Sequence, residues 1–208
     1  MLKILSALAV GLALVYPVCV YFGLDRLGVR RIGLLVLGLA LLRFLASRFG
    51  RRAGESPRFI STLWPLAVLG LLAAMIGDER LLLMLPTVVS LSLGLAFLGS
   101  LQSSPGSIVE RLAHLHHGVP ALPPRVTAYC RRVSTYWAVF LMVNATIAAG
   151  LALWGSLESW TLYTGLYSYG LILASIAFEY GYRTWKIKPV MRAYKAGLNA
   201  QDHQSSAS

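Results

Sequence analysis

Six runs of apolar residues, each closed by charged or turn-forming residues, constrain this chain more than anything else in it. They cover Ile4–Leu24, Ile32–Ala46, Phe59–Gly77, Leu81–Leu101, Thr135–Gly155 and Trp160–Tyr182. A bilayer's hydrocarbon core is ~30 Å thick and takes about twenty apolar residues of helix to cross. Inside it every backbone N–H and C=O must find a partner within the protein, which a helix provides locally. With 57% hydrophobic and 13% charged residues and a mean hydropathy of +0.65, too little polar surface remains to clothe a water-soluble domain of 208 residues. The expected fold is therefore all-α, a polytopic membrane bundle of six transmembrane helices plus a short cytoplasmic amphipathic helix. One membrane domain spans 1–195, with a cytoplasmic segment at 102–134 between spans four and five, and 196–208 form a flexible tail. The second block is the shortest, and Arg43 interrupts its last turn.

Charge sets the direction of the spans. With the N-terminus inside, one face collects fourteen Lys and Arg, in Lys3, Arg48–Arg58, Arg111–Arg132 and Arg183–Lys195. The other face collects four, Arg26, Arg30, Arg31 and Arg80. Loops rich in Lys and Arg stay in the cytoplasm, so both termini are expected there. The net charge of +11 follows from this topology and fits an anionic membrane surface, so nucleic acid is not expected as a partner. Lys3 and the apolar run after it resemble a signal peptide, but Val18 precedes Cys19 where a small residue is wanted, so the block is read as a retained span. Cys19 and Cys130 are expected as unpaired thiols.

In the long segment, Ser107 and Glu110 form a capping-box pattern. It opens a short helix whose apolar face is expected at Ile108, Leu112 and Leu115. His114, His116 and His117 lie close together but lack a neighbouring cysteine or a set of carboxylates, so neither a metal nor a cofactor is expected. The prolines of "PALPP" predict a stiff connector into the fifth span.

Three polar residues fall inside spans: Arg43, Asn144 and Glu179. Ionisable groups there are costly and mark either a structural partner or a working site. Arg43 and Glu179 each lie about one turn from the cytoplasmic end of their spans, so they could pair, and Arg183 is a local alternative at i+4. From Glu179 a face of small and polar residues runs back through Ser175, Ile172, Ser168, Gly165 and Thr161. Such a stripe lets helices approach closely, and Asn144 is expected to bond across to it. Trp160, Tyr163 and Tyr167 at the other end are expected as an interfacial aromatic belt plus packing.

Two stretches, "SIVERLAHLHHGVPALPPRVTAYCRRVSTYWAVFLMVNATIAAG" and "WTLYTGLYSYGLILASIAFEYGYR", resemble a family of small bacterial inner-membrane proteins encoded among aryl-polyene and fatty-acid-like biosynthesis genes. The matching positions are Glu110, Arg111 and Ala113; Tyr129, Arg131, Arg132 and Val133; Trp137, Phe140 and Asn144; Trp160, Tyr163 and Gly165; Ser168 and Tyr169; and Glu179, Tyr180 and Arg183. His114, Ser134 and Thr164 depart from the pattern, which has Arg, Thr and Asn there. The resemblance covers mainly the second half of the chain. It implies a role beside acyl or polyene lipid metabolism at the inner membrane.

The ketosynthase label sometimes attached to that family through its gene neighbours has no support in the residues. No nucleophile, base and orienting group stand together here, and no catalytic residue is assigned. Two functions are expected from different classes. One is a non-enzymatic accessory protein whose basic face, with Glu110, Arg111, Arg131 and Arg132, meets acyl carrier protein or other pathway proteins. The alternative is a transporter or flippase component with a polar path around Glu179, Arg43 and Asn144. Membrane lipids are expected partners in both.

Overall fold

The computed structural model describes residues 21–22, 27–38, 64–102, 106–117 and 121–206. Arg43, Cys19 and nearly all of the first block lie outside them. Among the described residues every regular element is helical. Helix α1 covers 29–38, α2 Trp64–Ile76, α3 Glu79–Leu83, α4 Leu85–Ser100, α5 Ile108–His117 and α6 Pro124–Trp154. A last helix, α7, starts at Leu157 and runs through Leu157–Leu162, Ser168–Tyr182 and Lys188–Ser206, with π turns over Tyr163–Tyr167 and Arg183–Ile187.

Among the described residues, three helical stretches are long and apolar enough to cross a membrane: Glu79–Ser100 (22 residues), Pro124–Trp154 (31) and Leu157–Gly197 (41). Their large side chains face outward: Leu91, Leu95, Val139, Val143, Leu166, Leu171, Leu173 and Phe178 are all exposed. A water-soluble bundle hides such residues; a lipid-facing one has no reason to.

The chain divides into two compact units. The first contains the described parts of Met1–Ala96 together with Phe140–Gly170. In it Ile32, Ala73, Leu82 and Leu85 form one core, and Leu83, Ala152 and Trp160 a second. Helices α1 and α2 touch backbone to backbone at Gly33 and Gly70: a Cβ on Gly33 would sit 2.7 Å from the Ala74 nitrogen, and one on Gly70 3.0 Å from the Leu37 nitrogen. Gly77, at φ +77°, ends α2 in the left-handed conformation that glycine adopts freely, with its N–H on the Ala73 carbonyl at 3.0 Å. Asp78 then caps α3 by accepting from the Arg80 N–H at 2.9 Å. The fourth apolar block thus begins at an Asp cap, and Pro86 explains why it is broken at Met84. Proline has no N–H for the Leu82 carbonyl, and its ring crowds that carbonyl.

The second unit contains Phe97–Val139 and the described part of Leu171–Ser208. Its core is Val126, Cys130 and Met191, against which Val109, Ala113 and Ile187 pack. The capping box of α5 forms as the sequence predicts: the Glu110 N–H reaches Ser107 Oγ at 3.4 Å and the Ser107 N–H reaches Glu110 Oε2 at 3.3 Å. Gly106, at φ +105°, is required twice over, because a Cβ there would also overlap the Glu110 carboxylate. Val109 and Ala113 pack against that core, while Leu112 and Leu115 of the expected apolar face are exposed.

Element ends also move. Residues 124–134, read from the sequence as part of the connecting segment, are the first three turns of α6; Pro124 sits in its opening turn, where a missing N–H costs nothing. Helix α7 continues to Ser206 through residues read as a tail. Pro189 fails to stop it because the π turn just before it already shifts the ladder, the Lys188 N–H reaching the Arg183 carbonyl five residues back.

Candidate functional site

Two polar clusters arise, one in each unit. In the first, Asn144 of α6 is buried and hydrogen-bonded on both ends of its amide. Its Nδ2 donates to Ser90 Oγ at 2.9 Å, and its Oδ1 accepts from both the Tyr163 hydroxyl and the Ser168 hydroxyl, each at 2.9 Å. Ser90 and Ser168 are themselves buried. Tyr163 and Ser168 are five positions apart, a spacing that an α-helix places on different faces. The π turn between them, closed by the Ser168 N–H on the Tyr163 carbonyl, brings both onto Asn144. Thr164, which stands where the resembling family has Asn, is buried and spends its hydroxyl on the Trp160 carbonyl at 2.7 Å. Gly165 instead faces a shallow apolar groove of about 340 Å³ with Leu162, Leu166 and Phe22.

Trp160 is not part of an aromatic belt. It has 0% exposed surface, packs with Leu83 and Ala152, and donates its indole N–H to the Leu83 carbonyl at 3.0 Å. The break at Met84 leaves that carbonyl turned toward α7. Tyr167, by contrast, is exposed, as a belt residue would be.

In the second unit Glu179 is partly buried and has two partners. The Tyr129 hydroxyl donates to Glu179 Oε1 at 2.6 Å, and Arg183 Nε lies 3.6 Å from the same oxygen. The Tyr129 ring stacks on Tyr182, with centroids 5.7 Å apart and planes within 17°. Higher on the same helix pair, Tyr136 and Ser175 share a hydrogen bond of 2.6 Å. The local pairing with Arg183 therefore exists, while the pairing with Arg43 falls outside the described residues. Sequence reading missed Tyr129 and Tyr136 as partners. Their seven-residue spacing on α6, matched to the small-polar stripe of α7, was the available signal.

The residues expected to meet a partner protein divide. Glu110 is used in the α5 cap, and Arg131 Nη2 reaches the Leu101 carbonyl at 3.4 Å, closing the end of α4. Arg132 and Arg125 are exposed on the first turns of α6, and the Arg111 Nε is buried without a hydrogen-bond partner. Among the described residues no three His, Cys, Asp or Glu side chains gather around one point as a metal site requires. Chemically, both clusters hold helices together: an amide with its acceptor filled twice, and a carboxylate held by a phenol and a guanidinium. Comparison with protein-family models, with curated proteins and with solved structures found no match to this chain.

Proposed function

We propose that this protein is a six-span component of the bacterial inner membrane with both termini in the cytoplasm. In this reading it is a non-enzymatic accessory factor of a lipid or aryl-polyene type biosynthesis pathway. It anchors soluble acyl-handling partners, acyl carrier protein foremost, at the membrane. The observation that carries the reading is the position of Arg125 and Arg132, exposed on the opening turns of α6 in a chain whose basic residues crowd one predicted face. Acyl carrier proteins are acidic, and complementary charge steers such encounters.

The test has two arms. Deleting the gene should change the cell's lipid or pigment profile. The purified protein in nanodiscs should retain acyl carrier protein in low salt and lose it with Arg125→Glu and Arg132→Glu. An unchanged profile together with no retention sinks the proposal. The transport alternative has weaker support, because Asn144 already bonds Ser90, Tyr163 and Ser168 and so is engaged in helix packing.

A further inference from the structure

Helix α7 outruns any bilayer. Its 41 residues from Leu157 to Gly197 span about 60 Å at 1.5 Å per residue, against a hydrocarbon core of ~30 Å. Exposed apolar side chains continue along it from Leu171 and Leu173 to Phe178, and then the surface changes character. Within the next ten residues come Tyr180, Tyr182, Arg183, Trp185, Lys186 and Lys188. Trp185 is 72% exposed, and Tyr180 and Tyr182 are exposed as well.

The cations of this stretch rest on rings. Lys186 Nζ lies 4.0 Å from the Trp185 centroid, and Lys188 Nζ lies 5.2 Å from that of Tyr180, with the Arg183 guanidinium 5.6 Å from the same ring. Glu179 takes up Arg183, but no Asp or Glu stands between Glu179 and Asp202. A lysine on a π face keeps its full charge and its N–H donors, whereas a lysine on a carboxylate spends both. Trp185 lies about 10 Å of helix beyond Phe178, just past the end of the apolar run Trp160–Tyr182.

We propose that Tyr180, Trp185, Lys186 and Lys188 form a collar around this part of α7 that binds the phosphates of anionic phospholipid headgroups, with the rings against the upper acyl chains and glycerol. This goes beyond the accessory role and rests only on its membrane component. The lipid is favoured over an acidic protein by continuity, since the exposed rings extend the same apolar surface that the span presents. Each basic residue at an anionic membrane surface changes affinity roughly fivefold.

The test reconstitutes the full chain in vesicles containing either brominated phosphatidylglycerol or brominated phosphatidylcholine. The Trp185 share of the fluorescence is taken from the difference between the wild type and Trp185→Phe. The brominated phosphatidylglycerol should quench that share several-fold more strongly, and Lys186→Gln combined with Lys188→Gln should bring the two lipids level. Equal quenching in the wild type, or a preference that survives the double substitution, overturns the proposal. So does an added acidic carrier protein that relieves the quenching, because the collar would then belong to a protein. Carbonate extraction separates the two levels: release from membranes defeats the membrane reading itself, whereas retention without lipid preference defeats only this inference.

Discussion

Trp160 donates its indole N–H to the main-chain carbonyl of Leu83, 77 positions earlier, from a side chain with no exposed surface. The carbonyl is available because the helix breaks at Met84 ahead of Pro86, so a backbone defect in one helix is repaired by a side chain of another. Trp160→Phe keeps most of the volume but strands the carbonyl. The expected loss is about 1–3 kcal/mol, and Trp160→Ala should lose about 3–5 kcal/mol. Trp154, exposed on α6, is the control, and Trp154→Phe should stay within about 0.5 kcal/mol. Thermal melting in mild detergent reads all three, and equal shifts for the two Phe variants would contradict the assignment.

The Asn144 cluster predicts coupling. Hydrogen bonds between membrane helices average about 0.6 kcal/mol each, so Asn144→Ala, which removes three, should destabilise by about 2 kcal/mol. Ser168→Ala alone should cost about 0.6 kcal/mol, and in the Asn144→Ala background it should cost almost nothing. Additive losses would mean that the two side chains do not act on each other.

Gly33 and Gly38 make a matched pair. A methyl added at Gly33 would press closer than van der Waals contact on the backbone of α2, while Gly38 has nothing within 4 Å among the described residues. Gly33→Ala should destabilise by about 1–3 kcal/mol through overpacking. Gly38→Ala should be neutral or slightly stabilising through helix propensity. Detergent melting of the two variants side by side checks this; the reverse order would place the crossing elsewhere.

Glu179 is predicted to be structural. Tyr129→Phe and Glu179→Gln should each lower stability by about 0.5–1.5 kcal/mol, with a coupling of at least about 0.5 kcal/mol between them. Loss of pathway product in Glu179→Gln at an unchanged melting temperature would instead make this carboxylate part of a working site.

How much of the fold and of the two clusters was legible depended on how local each cause was. The Ser107–Glu110 cap, the Gly77 stop and the Asp78 start are set within four residues, and each can be read from its letters. Asn144 meeting the small-polar stripe was also readable, since an isolated amide in an apolar helix has few other outlets. Trp160 was not, because its burial depends on a carbonyl released by Pro86 in a distant segment. Helix ends at Pro124 and beyond Tyr182 were hidden because proline is a breaker by default, and only the surrounding ladder reveals where it is harmless.

The two π turns of α7 give its length a meaning that composition does not carry. Each adds a residue without adding a turn, so each acts as a phase shifter. Deleting one residue from Tyr163–Tyr167 would let the turn close as α-helix and swing the rest of the helix by about 100°, parting Tyr163 from Ser168 at Asn144. The same deletion in Arg183–Ile187 would carry Lys188 off the face of Tyr180. Along this helix the residue count itself is under constraint, and a one-residue gap would be felt more than most changes of side chain.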